Sequence, residues 1–213
     1  MRRLPVYLLI DTSGSMSGEA IEAVKTGVQT LVSSLRQDPY ALETAYLSVI
    51  TFDSSAQQRV PLTELPQFQL PAIQASGSTA MGEALTLVAK CADKEVSKST
   101  AEVKGDWKPL VFLLTDGGPT DDLDRGIKEF KTRKWGLVIA CAAGPGADTG
   151  PLMKITESVV QLDTTDSAAF KAFFKWVSAS VSASSKSVET AGKDVSGLDQ
   201  LPPPPQEIIP VVA

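Results

Sequence analysis

The feature that most constrains this chain is an apolar run, Val6-Tyr7-Leu8-Leu9-Ile10, that stops at a carboxylate, Asp11. Five apolar residues without polar alternation read as a strand buried on both faces, as in the middle of a parallel sheet. A second run, residues 109–115 (PLVFLLT), stops in the same way at Asp116. Both faces of such strands must be covered, which demands helices on each side of the sheet and crossover connections between strands. Open α/β sheets place their ligands just beyond the carboxyl ends of their strands. Asp11, with Ser13 and Ser15 after it, is therefore expected where such a fold binds.

The rest of the chain alternates accordingly. Residues 17–37 carry Ile21, Val24, Val28, Leu31, Val32 and Leu35 at helical spacing, with Ser17 as the expected N-cap and Asp38-Pro39 as the stop. Strands are expected at 44–53, 56–62, 109–115, 135–142 and 159–162, and further helices at 78–97, 121–133, around 152–153 and at 167–182. The short turn between 53 and 56 makes the third strand antiparallel, and Pro61 suits a sheet edge. The prediction is an α/β fold: three layers (α-β-α), doubly wound, around a mostly parallel six-stranded sheet with one antiparallel edge strand. Residues 1–182 form this domain. Residues 183–213 form a Ser/Pro-rich tail, with a four-proline run that must be extended. That tail is either solvated, or lies on the domain or a partner, the second reading resting on Ile208, Ile209, Val211 and Val212.

Composition excludes several function classes. The 213 residues carry a net charge of −5 with no long basic run, which argues against nucleic acid. No stretch approaches the ~18 apolar residues of a membrane span. The apolar run after Arg2 and Arg3 is too short for a secretory leader, and a cytoplasmic protein is expected. Histidine is absent, which removes Ser-His-Asp and Cys-His catalysis. Cys91 and Cys141 are distant and read as buried, inert thiols, so any metal must be hard and oxygen-bound.

The first and fourth strands of a doubly wound sheet lie side by side, so Asp11 and Asp116 should converge, with Thr79 at a nearby helix start. Two carboxylates and three hydroxyls without a basic partner need a positive ion between them. Mg2+ is the economical one, with Mn2+ or Ca2+ as alternatives. Taken singly, Ser13, Ser15 and Thr79 could instead be helix caps. Met16 is either an apolar partner contact beside the ion or a core residue. Asp121, Asp122 and Asp124 read as charges favouring a helix start, residues 163–166 as a cap, and residues 144–146 as a turn. Trp176 is offset from the main apolar face of its helix and either widens the core or faces a partner.

Asp11-Thr12-Ser13-Gly14-Ser15, Gly77-Ser78-Thr79 and Thr115-Asp116-Gly117 together resemble the metal-ion-dependent adhesion site, or MIDAS, of von Willebrand factor A (VWA) domains. The likeness covers about residues 5–180. Within that family the chain is most similar to the VWA proteins of bacterial tellurium-resistance gene clusters. The resemblance implies that Ser13 and Ser15 bind the metal directly, Thr79 directly or through water, and Asp11 and Asp116 through water. It implies a non-catalytic scaffold that takes an acidic group of a partner protein, in stress or tellurium-resistance signalling beside a Ser/Thr kinase and a protein phosphatase. A kinase partner would make Ser13, Ser15 and Thr79 candidate phosphorylation sites. The competing reading is a metal-dependent phosphoryl-transfer enzyme with Asp11 as nucleophile. It lacks a general base and a phosphate-clamping cation in the motif.

Overall fold

The computed structural model describes residues 2–194 and 197–211. Its strands are β1 (Leu4–Asp11), β2 (Ala45–Phe52), β3 (Ala56–Glu64), β4 (Leu110–Thr115), β5 (Leu137–Ala143), β6 (Val159–Leu162) and β7 (Ile208–Val211). They form one sheet in the order β3-β2-β1-β4-β5-β6-β7. The five inner strands are parallel, and β3 and β7 are antiparallel edges. The expected α/β class, parallel centre and antiparallel third strand are all present, but the sheet has seven strands rather than six.

The helices are α1 (Glu19–Gln37), α2 (Pro39–Thr44), α3 (Met81–Glu95), α4 (Leu123–Lys131), α5 (Thr149–Ile155) and α6 (Ser167–Ala191). Alternate residues of β1 serve two cores, which is why its apolar run never alternates. Val6, Leu8 and Ile10 pack towards α1 and α6, whereas Tyr7 and Leu9 pack towards α3, α4 and α5. Both thiols are buried. Burial pushes Cys91 up to about 11 and raises Cys141 further still, so neither is a ready thiolate. Among the described residues, no helix is long and apolar enough to cross a membrane.

The largest departures lie at the carboxyl end. The last helix does not stop at 182. Its apolar face continues through Val181 and Val188, both buried. Its serines remain compatible with burial because Ser180 and Ser184 donate to carbonyls one turn back, at 2.8 Å each. Gly192, at φ +63°, ends it. The segment that follows lies on the domain. Trp176 is buried, and its Nε1 donates to Pro202 O at 2.8 Å. Leu201 and Ile208 are buried, and β7 covers the free edge of β6. Of the apolar residues that suggested docking, Val212 lies outside the described residues.

Helix starts also differ from expectation. Ser17 is not the N-cap of α1. A 3-10 turn at Gly14–Met16 intervenes, and Gly18, at φ +82°, leads into the helix. Asp121 caps a different helix from the one it precedes: its carboxylate accepts from the N–H groups of Gly82 and Glu83 at the start of α3. Asp122 caps α4 through Arg125 N, and Asp166 caps α6 through Ala169 N.

Two predictions follow from this packing. α3 and α4 touch through glycines, and a Cβ added at Gly126 would lie 2.3 Å from Gly82 O. Gly126→Ala should therefore destabilise the fold by about 1–3 kcal/mol, read as a lower urea midpoint. At the opposite end of the sheet, Arg3 grips Asp106 with Nε at 3.0 Å and Nη2 at 2.6 Å, and Ser97 N adds a third donor at 2.7 Å. Burial opposes ionisation of Asp106, but these donors outweigh it and hold its carboxyl below the usual carboxylate range. A depressed acid stabilises the folded state above its unfolded pKa, about 3.9, and that contribution is lost as pH falls through the lower folded value. Urea midpoints at pH 7 and pH 3 should differ less for Asp106→Asn than for wild type.

Candidate metal centre

β1 and β4 are parallel neighbours in register, with Ile10 beside Leu114. Their carboxyl ends therefore deliver Asp11, Thr115 and Asp116 to one edge. The loop after β1 is stitched to the two loops beside it. Thr12 N donates to Phe52 O at 2.8 Å, Ser76 N to Thr12 O at 2.8 Å, and Gly14 N to Gly77 O at 3.0 Å. Gly77 has φ +73°, and a Cβ there would meet Ser54 Oγ at 2.3 Å, so the close approach of these loops requires glycine.

Four of the five expected residues form a connected chain of hydrogen bonds. Ser13 N donates to Asp11 Oδ1 at 2.8 Å. Ser13 Oγ lies 3.0 Å from Ser15 Oγ, and Ser15 Oγ donates to Asp116 Oδ1 at 2.7 Å. Because Ser15 spends its proton on Asp116, Ser13 must be the donor in the pair of hydroxyls. Asp11, Ser13 and Thr79 are buried, whereas Ser15 is exposed. Thr79 shares no hydrogen bond with the other four among the described residues. It borders the 115–117 loop, since a Cβ on Gly117 would stand 3.9 Å from Thr79 Oγ1. It is neither a free end nor the N-cap of α3, which is Ala80. Thr79 N donates to Thr120 Oγ1 at 3.0 Å, and Thr120 N returns a bond to Thr79 O at 2.9 Å.

Met16 is corrected to a core residue. The 3-10 turn, closed by Met16 N donating to Ser13 O at 3.0 Å, sends its side chain into the cluster beneath α1, where it is fully buried. It cannot touch a partner there. Thr115 is the residue the motif reading did not assign a role. Its hydroxyl donates to Asp11 Oδ2 at 2.5 Å and accepts from Gly117 N at 3.2 Å. The available signal was its place as the one hydroxyl closing an otherwise apolar strand.

Electrostatics define what the cluster suits. Burial pushes the Asp11 carboxyl above the ordinary carboxylate range against the pull of hydrogen bonds from Ser13 and Thr115, and nearby Asp116 adds to the rise. Among the described residues no ion pair reaches Asp11 or Asp116. Nor does any group of three His, Cys, Asp or Glu side chains there form a conventional metal cluster. An ion held here would draw on hydroxyls as much as on carboxylates. An oxygen-only donor set with two carboxylates fits a hard divalent cation.

A seven-stranded, mostly parallel sheet with this loop cluster at the carboxyl ends of β1 and β4 defines an α/β domain with a candidate ligand-binding edge. The chain belongs to the von Willebrand factor type A domain family, whose model matches residues 6–175. It is 35% identical over 135 residues to the uncharacterized protein sll0103 of Synechocystis, covering 60% of this chain and 29% of that protein. The chain thus spans less than a third of that relative. Among solved structures, a von Willebrand factor type A protein from Catenulispora acidiphila aligns with TM-score 0.63 at 18% identity, over 85% of this chain and 43% of that one. The pilus adhesin SpaC of Lactobacillus rhamnosus GG aligns with TM-score 0.66 at 16% identity, over 86% and 31%. Proximal thread matrix protein 1 from the mussel byssus, with zinc in its MIDAS motif, aligns with TM-score 0.56 at 19% identity, over 83% and 46%. At these identities the structural likeness is one of fold.

Thr115→Val should leave the fold intact while freeing one oxygen of Asp11. Residues that orient ligands in this way are worth about 10–100-fold in metal affinity. Titration calorimetry with Mn2+ should show a loss in that range, and the thermal midpoint should also fall, because a buried carboxylate loses a donor.

Proposed function

We propose that this is a non-catalytic, metal-dependent protein-binding domain, in which a divalent cation at the Asp11 edge takes an acidic group from a partner. The observation that carries the reading is the connected chain Asp11–Ser13–Ser15–Asp116 at the meeting of β1 and β4. Ser13 and Ser15 would hold the ion through their hydroxyls, Thr79 directly or through water, and Asp11 and Asp116 through water. The ion would supply a concentrated positive charge that a partner carboxylate can approach. Mg2+ suits an all-oxygen, partly hydrated site, and Mn2+ makes similar demands.

The chemistry of Asp11 supports a non-enzymatic role. A nucleophile must be reached by its substrate, whereas the Asp11 side chain is buried, with each oxygen already accepting one hydrogen bond. Likeness to the VWA proteins of tellurium-resistance clusters supports a place in bacterial stress signalling, with a Ser/Thr kinase and a protein phosphatase as partners. Of the three candidate phosphorylation sites, exposure favours Ser15. A phosphate there would add about −1.5 to −2 charge beside Asp116 and oppose ion binding through repulsion among the acids.

The test combines two measurements on one protein. Calorimetry should give saturable Mg2+ or Mn2+ binding that Asp11→Ala lowers at least tenfold, about 1.4 kcal/mol. Pull-down of the candidate kinase and phosphatase should require the ion, failing both with EDTA and with Asp11→Ala. Capture that is indifferent to chelator and to the substitution would sink the reading.

A further inference from the structure

A polar cavity lies beside the metal loop and shares Thr12 with it. It has a volume of about 310 Å3 and is lined by Thr12, Thr51, Asp53, Gln57, Arg59 and Gln74, among others. Arg59 is held in place: Nη1 donates to Gln57 Oε1 at 3.2 Å and Nη2 to Ala72 O at 3.0 Å. A guanidinium has five N–H groups, so three remain to offer. Asp53 uses Oδ1 to accept from Ser55 N at 3.1 Å. No ion pair joins Arg59 to Asp53 among the described residues, although both line the same cavity. The wall opposite the strands, residues 72–76, is anchored to the metal loop by Ser76 N donating to Thr12 O.

Arg59 and Asp53 thus place a donor and an acceptor on the lining of one cavity. A carboxylate guest would meet Arg59 but be repelled by Asp53, and an ammonium guest would meet the reverse. A carboxamide satisfies both, its C=O accepting from Arg59 and its N–H donating to Asp53, without burying net charge. We propose that this cavity is a binding site for a carboxamide group, the Asn or Gln side chain of a polypeptide partner. Its use by a partner that also reaches the metal rests on the function proposed above; the preference for a carboxamide does not.

The test uses propionamide, propionate and propylammonium as neutral, anionic and cationic probes of similar size. Each is titrated into the full chain with EDTA present and followed by 1H–15N NMR. Propionamide should shift the Arg59 Nε–H and the backbone signals of Thr12 and Gln74, binding about tenfold more tightly than either charged probe. Arg59→Gln removes the cation, so propylammonium should then bind as well as propionamide. Asp53→Asn keeps an oxygen for Ser55 N and removes the charge, so propionate should then bind as well as propionamide. Propionate matching propionamide on wild type, no probe moving these signals, or Asp53→Asn leaving selectivity unchanged would each overturn the proposal. Because EDTA is present throughout, failure of the metal reading leaves this result standing, and the converse also holds.

Discussion

The hydrogen bond from Thr115 Oγ1 to Asp11 Oδ2, 2.5 Å long, is the contact on which the site depends. It ties the ends of two central parallel strands and orients a carboxylate that burial disfavours. An unpaired buried charge costs far more than one hydrogen bond returns, so Asp11 is a place where the fold forgoes stability. The cost is tolerable because the strands beneath it are packed on both faces and cannot yield. The rigidity of the sheet below and the unsatisfied charge above belong to one arrangement.

Much of this was legible because burial on two faces writes a signal that burial on one face does not. β1 and β4 read as central strands because nothing polar interrupts them, and β3 read as an edge because the short turn before it returns the chain antiparallel and Pro61 suits an edge. The carboxyl-terminal end was misread for the opposite reason. Ser184 looks solvated by composition, yet it satisfies its hydroxyl on its own helix and can then be buried. β7 is four residues long, contains Pro210, and has meaning only beside β6.

The site was legible as residue types but not as contacts. Asp11, Ser13, Ser15 and Asp116 are brought together as their spacing required. Met16 was ambiguous because one 3-10 turn decides whether a side chain after the loop points out or in, and local sequence does not encode that choice. Thr120, which holds Thr79, gave no signal, since pairing across 41 residues depends on how two loops meet.

The acidic residues at this edge of the sheet also separate by partner. Asp121, Asp122, Asp148 and Asp166 each accept from the first N–H groups of a helix, where the partial positive charge of the helix end answers theirs. Asp11 and Asp116 have no helix end and no cation among the described residues; they accept from hydroxyls and from the loop backbone. A simple count of acids would mark the whole edge as a cation site. Following each carboxylate to its donor assigns four of them to helix capping, and among the rest Asp11 and Asp116 are the two linked to each other through Ser13 and Ser15.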